Sequence, residues 1–164
     1  MQLVGSDLDF LRSCEGIAKG SYRDGKYYAY KDTNGTWTNY YGCTYDTNTK
    51  RVTKDTVWDE VYAEECFKFA CSSAVKTVND LMKRDNVTLT QHQFGALVSF
   101  AYNVGNEALK QSTLWKRIVA KDTDERISDA FMMWIKETVN GQKVVTKGLY
   151  NRRQKEVDYF MRGA

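Results

Sequence analysis

Phe10, Leu11 and Cys14 recur at helical spacing near the start of the chain. Ser6 with Asp9 resembles a capping box, and Gly16 supplies a stop. A short first helix follows, with Glu15 at its last turn. From Tyr27 the period changes. "YYAYK" and "TWTNYY" are aromatic and β-branched runs joined by "DTNG", a hairpin signal, and "RDG" at Arg23 to Gly25 marks a turn just before them. The remainder reads as helical. Thr56 with Asp59 would open a long helix through "VWDEVYAEECFKFACSSAVKTVNDLMKR". Thr90 with Gln93 forms a second capping box, and Phe94, Leu97, Val98, Ala101 and Val104 make a stripe that stops at Gly105. Ser112 or Thr113 would start "LWKRIVA", Thr123 would cap "RISDAFMMWIKE", "VNGQKVV" holds an Asn-Gly turn, and "GLYNRRQKEVDYFM" closes the chain as a helix. The pattern predicts an α+β fold: first helix and β lobe over about 1–55, a connecting helix over about 56–84, and a helical lobe over about 85–164. A cleft between such lobes is the expected binding place.

Composition narrows the class without changing that outline. The 164 residues make one domain's worth of chain, 42% hydrophobic and 27% charged, as in an ordinary globular protein. A net charge of +3 is too small to imply nucleic acid as a partner, yet suits an anionic polymer such as a cell wall. No apolar run reaches membrane-spanning length, so no stable membrane insertion is expected. Asp7 and Asp9 stand where a signal peptide would be apolar, so unaided export is not expected either. The four cysteines show no C-x-x-C pair and the single histidine is His92, which argues for free thiols and against a metal site. Cys66 and Cys71 would point to different sides of one helix, and His92 would be exposed and idle. Trp58, Phe94 and Trp134 read as core.

The candidate chemistry lies between Glu15 and Thr38. A carboxyl at a helix C-terminus meets the negative end of the helix dipole, which favours its protonated form. Burial in a cleft acts in the same direction. A protonated glutamate can donate to a leaving glycosidic oxygen. Asp32, at the lip of a polar hairpin, would remain ionised and could orient water or stabilise positive charge on a sugar. Thr38, across the turn, could bind the same water. An aspartate at that place also commonly just builds the turn, and Asp24 offers a second carboxyl nearby.

"CEG" followed by "AYKDTNGTWTNYYGCT", with "QFGALVSFAYNVG", "STLWKRI", "MMWIKE" and "GLYNRR" in order, resembles the phage-type lysozymes, endolysins of glycoside hydrolase family 24. The resemblance covers nearly the whole chain. It implies a lysozyme-like fold and a catalytic Glu15, Asp32 and Thr38. Glu15 to Asp24 keeps the family's eight intervening residues, whereas Glu15 to Asp32 has sixteen. Asp32, however, is followed by Gly35 and by Thr38 at the sixth position, as the family requires, and Asp24 has Tyr30 there. A longer loop before the hairpin is thermodynamically cheap. Asp32 is therefore the expected partner of Glu15, with Asp24 as the alternative. Cys43 stands where the family commonly has a structural histidine, so stability or redox behaviour should feel it more than catalysis.

The resemblance further implies that Arg152 orients Glu15 and that Tyr102, Asn103 and Thr113 contact the sugar chain, with Thr44 and Asn151 as further candidates. It implies a muramidase that cleaves the β-1,4 bond between N-acetylmuramic acid and N-acetylglucosamine, made in the bacterial cytoplasm during phage lysis. A holin would give it access to the wall. No cofactor or metal is expected, and a monomer is the default. A lytic transglycosylase would need one acid and no Asp-bound water. A wall-binding module would need neither carboxyl.

Overall fold

Asp7, rather than Ser6, secures the start of the first helix. In the computed structural model, which describes residues 1–163, α1 spans Gly5–Glu15. The Val4 carbonyl accepts the first helical bond, from Leu8 N–H, while Val4 N–H donates to Asp7 Oδ2 at 2.9 Å. Asp7 can fill this role because its buried carboxylate is satisfied elsewhere too, by Tyr159 Oη at 2.7 Å and Gln91 Nε2 at 2.6 Å.

Two units divide the chain. One runs from Glu15 to Ser73; the other combines Met1–Cys14 with everything described from Ala74 onward. The first holds five short strands. β1 (Tyr22–Arg23) and β2 (Lys26–Tyr28) form a hairpin whose two-residue loop, Asp24-Gly25, has both φ values positive, at 53° and 73°. This is the mirror-image turn that matches strand twist. β3 (Tyr30–Lys31) pairs with β4 (Trp37–Thr38) across the "DTNG" turn, in register Tyr30 to Thr38. The expected single run "YYAYK" therefore breaks at Ala29 and serves two sheets.

β5 (Val57–Asp59) is a correction to the helix expected from about residue 56. Val57, Trp58 and Asp59 pair antiparallel with Tyr28, Tyr27 and Lys26, and α2 begins only at Glu60 and runs to Asp85. A β-branched residue and a tryptophan beside an open strand edge gain more from pairing than from a helical turn. Asp59 then caps α2, its Oδ1 accepting Tyr62 N–H at 2.7 Å, while Thr56 closes a turn with Thr53. Cys66 and Cys71, both on this helix, are fully buried, as are Cys43 and Phe67. All four cysteines are free thiols. Burial pushes the Cys43 and Cys66 thiols up, away from thiolate chemistry.

In the helical unit, α3 (Gln91–Val104) packs along α7 (Lys147–Phe160). The Thr90–Gln93 capping box forms on both sides. Phe94 through Ala101 are all buried, so α3 is a core helix rather than the one-striped helix its spacing suggested. Gly95 allows this closeness, since a Cβ there would come within 2.6 Å of Asp7 Oδ1 and 2.9 Å of the Tyr159 ring. α4 (Asn106–Gln111), α5 (Thr113–Val119) and α6 (Asp124–Met132) follow, with Ser112 and Thr123 as N-caps of the last two. α6 ends five residues before the predicted Glu137. Lys136–Val139 and Gln142–Val145 instead form the exposed hairpin β6–β7 around Asn140-Gly141. His92 is half-buried rather than exposed and packs edge-on against Tyr159, with ring centroids 5.0 Å apart. Trp58 and Phe94 are core, whereas Trp134 is half-buried against Phe100.

Candidate active site

The end of α1 delivers Glu15 to a groove of about 520 Å³, wholly within the strand-bearing unit. Asp32, Thr38, Tyr30, Lys31 and Gly42 line the same groove. Glu15, Asp32 and Thr38 thus come together from a helix end and a hairpin.

Each is placed by its own local structure. Asp32 leads the β3–β4 turn: its backbone N–H donates to the Thr36 carbonyl at 2.9 Å, and its Oδ1 accepts Asn34 N–H at 2.8 Å and Thr36 N–H at 2.9 Å. Its Oδ2 has no partner among the described residues. Thr38 is buried, and its hydroxyl donates to the Thr36 carbonyl at 2.9 Å. With that proton committed, only the lone pairs of Thr38 Oγ1 remain for a guest. Asp24, by contrast, sits exposed at the β1–β2 tip and does not line the groove.

Sequence reasoning missed two residues of this site. Gly42 has φ +78°, and a Cβ there would lie 2.7 Å from Glu15 Oε2, so the carboxyl rests on bare backbone. Tyr30 donates its hydroxyl to the Tyr40 carbonyl at 2.6 Å. Its phenol is pushed up to about 12, chiefly by burial, with the charges of Cys43, Glu15 and Asp32 adding to the effect. The available signal was the glycine ending "TWTNYYG", at a strand end where a side chain would block the neighbour.

Most of the other expected residues lie in the helical unit. Arg152 is buried, with Nη2 3.2 Å from both the carbonyl and hydroxyl oxygens of Ser99 and Nε 3.4 Å from Glu156 Oε2. Fully buried Arg153 reaches Glu156 Oε1 at 2.9 Å, at an angle that makes an ion pair rather than a hydrogen bond. Ser99 Oγ donates to Glu156 Oε2 at 2.6 Å. Burial pushes the Glu156 carboxyl up, opposed by Arg153 and Arg152. Asn103 is exposed and accepts a hydrogen bond from Arg153 through Oδ1. Tyr102, beside it on α3, and Thr113, the first residue of α5, are half-buried, and Asn151 is exposed. The half-buried Thr44 belongs to the strand-bearing unit, where its carbonyl accepts Val52 N–H. Cys14 is partly exposed, its thiol pushed up by burial against the opposing pull of Arg152. Among the described residues, no three His, Cys, Asp or Glu side chains are grouped to hold a metal ion, and no helix is long and apolar enough to cross a membrane.

Known proteins resemble this chain in both sequence and fold. The endolysin of Acyrthosiphon pisum secondary endosymbiont phage 1 is 32% identical over 132 residues, which are 80% of this chain and 84% of the relative. The solved endolysin from Escherichia coli O157:H7 phage FAHEc1 is 34% identical and superposes with a TM-score of 0.86, covering 98% of this chain and 94% of that one. The muramidase domain of SpmX from Asticaccaulis excentricus is 27% identical, with a TM-score of 0.74 and 99% of each chain covered. The family model described as Phage lysozyme matches residues 20–156, a span that includes Asp32, Thr38 and Arg152 and starts just after Glu15. With so much of its length accounted for by sequence and fold alike, this chain belongs to the phage lysozyme family.

Proposed function

We propose that the groove of Glu15, Asp32 and Thr38 is where this chain cuts the β-1,4 bond between N-acetylmuramic acid and N-acetylglucosamine. The chain is a glycoside hydrolase, a peptidoglycan hydrolase of phage lysis. The observation that carries the site assignment is the presence of all three side chains in one groove that excludes Asp24.

The chemistry follows from what each group has left to offer. Glu15, protonated, gives its proton to the leaving glycosidic oxygen. Asp32, its Oδ1 committed to the turn, has Oδ2 left to offer the substrate as a carboxylate. Thr38, its own proton committed to Thr36, accepts one from a water, and Asp32 Oδ2 accepts the other. A water held by both its protons presents a lone pair to the sugar carbon as positive charge develops there. Tyr102, Asn103 and Thr113 would contact the glycan, and Arg152 would orient Glu15. Access to the wall through a holin lesion, after synthesis in the host cytoplasm, belongs to the same reading, as does action as a monomer without cofactor.

Loss of turbidity in outer-membrane-permeabilised bacteria, with mass spectrometry of the fragments, tests this reading. Reducing N-acetylmuramic acid ends are expected. A product pool of 1,6-anhydro sugars would mean that no water is bound as described. Asp32→Asn and Asp24→Asn separate the two aspartates: the first is expected to lower lytic activity roughly hundredfold or more, the second to leave it near that of the wild type. The reverse outcome would reassign the site to Asp24.

A further inference from the structure

The turn that seats Glu15 is an unusual piece of backbone. Asn39 and Cys43 close it with two backbone hydrogen bonds, Asn39 N–H to the Cys43 carbonyl at 2.8 Å and Cys43 N–H to the Asn39 carbonyl at 3.0 Å. Of the residues between, Tyr40 has φ +54° and Gly42 φ +78°. A tyrosine in the left-handed region is strained by its own Cβ, so something must hold it. On the inner side, the Tyr40 ring packs edge-on against Tyr27, Tyr41 and Phe67, and its hydroxyl donates to Glu64 at 2.8 Å. On the groove side stands Tyr30. Its hydroxyl donates to the Tyr40 carbonyl at 2.6 Å, and its oxygen takes a backbone hydrogen bond from Gly42. The carboxyl of Glu15 rests against Gly42 itself.

We infer that Tyr30 is a positioning residue for the catalytic acid: its phenol hydroxyl clamps both ends of the Tyr40–Gly42 turn and so fixes the surface on which the Glu15 carboxyl sits. The inference rests on Glu15 being the acid. Tyr30 is itself held by β3–β4 pairing opposite Thr38, so the clamp ties the seat of the acid to the strand that carries the water-binding hydroxyl. The phenol, raised to about 12 mainly by burial, keeps its proton, and with it the donor bond, across the working range of a cell-wall enzyme. Because a misplaced catalytic group reacts poorly even when substrate still binds, loss of the clamp acts on turnover more than on binding.

Tyr30→Phe keeps the ring and removes only the hydroxyl. Its kcat is expected to fall roughly tenfold or more, with KM within about twofold and the pH–rate profile displaced. Tyr159→Phe, which removes the Tyr159–Asp7 bond in the helical unit, is the stability control and should leave kcat and the pH profile unchanged. If Tyr30→Phe reproduces wild-type kcat and pH profile, or only matches the control, the inference fails. Amide exchange checks it without a variant: Gly42 N–H is expected to be protected in the wild-type protein, and free exchange there overturns the clamp. Glu15→Gln assayed in parallel keeps the two questions apart. An active Glu15→Gln removes the acid assignment, whereas an inactive one beside a fully active Tyr30→Phe removes only the clamp.

Discussion

Glu15→Gln is expected to abolish wall lysis while leaving the fold intact. Glutamine has the shape of glutamate and can rest on Gly42 as the carboxyl does, so nothing in the groove need move. It cannot donate an acidic proton. General acid catalysis is worth roughly a hundred- to ten-thousandfold, and a leaving sugar oxygen has little other help here. Circular dichroism and the thermal midpoint should match the wild type, with turbidity clearance lost. Full clearance by this variant would sink the site assignment, since Asp32 and Thr38 alone supply water but no acid.

Glu156→Ala should have the largest effect on stability. Arg152 and Arg153 are both buried, and Glu156 is the carboxylate they share. Removing it leaves two desolvated guanidinium groups without that counter-charge, and breaking a buried pair in this way costs about 3–5 kcal/mol. For a chain of this size that corresponds to a thermal midpoint lower by about 10 °C. An unchanged midpoint would show that water reaches the cluster. Because Arg152 loses a fixed partner, the same variant is expected to be less active even at temperatures where it is fully folded.

Legibility followed the range of the interactions. The Thr90–Gln93 box, the Thr123 cap and the "DTNG" hairpin are settled within a few residues, and each stands where the local pattern put it. β5 was misread because its reason for being a strand is β2, thirty residues upstream. The end of α6 was misread because an exposed Asn-Gly hairpin competes with helix for "IKETV", and the turn wins. The site divides in the same way. Asp32 and Thr38 belong to one hairpin, six residues apart, so family spacing and hairpin geometry could point to both. Gly42 and Tyr30 matter only because a helix end is brought over a distant turn. "NRRQKE" reads as a solvated charge run until α3 covers it and makes Glu156 a buried ion.

The double use of Asp32 bears on how this enzyme can evolve. Residues that perform chemistry commonly sit in conformations or charge environments that weaken a protein, so replacing them often makes it sturdier. Here the reactive carboxylate also anchors two amides of its own hairpin through the oxygen it does not need for reaction. Most replacements at this position would therefore lose both lysis and a turn, and drift toward an inactive but hardier descendant gains no foothold there. Asparagine is the exception, because its amide oxygen can accept the same two bonds. A non-catalytic wall-binding offshoot of this lineage would be expected to carry that residue.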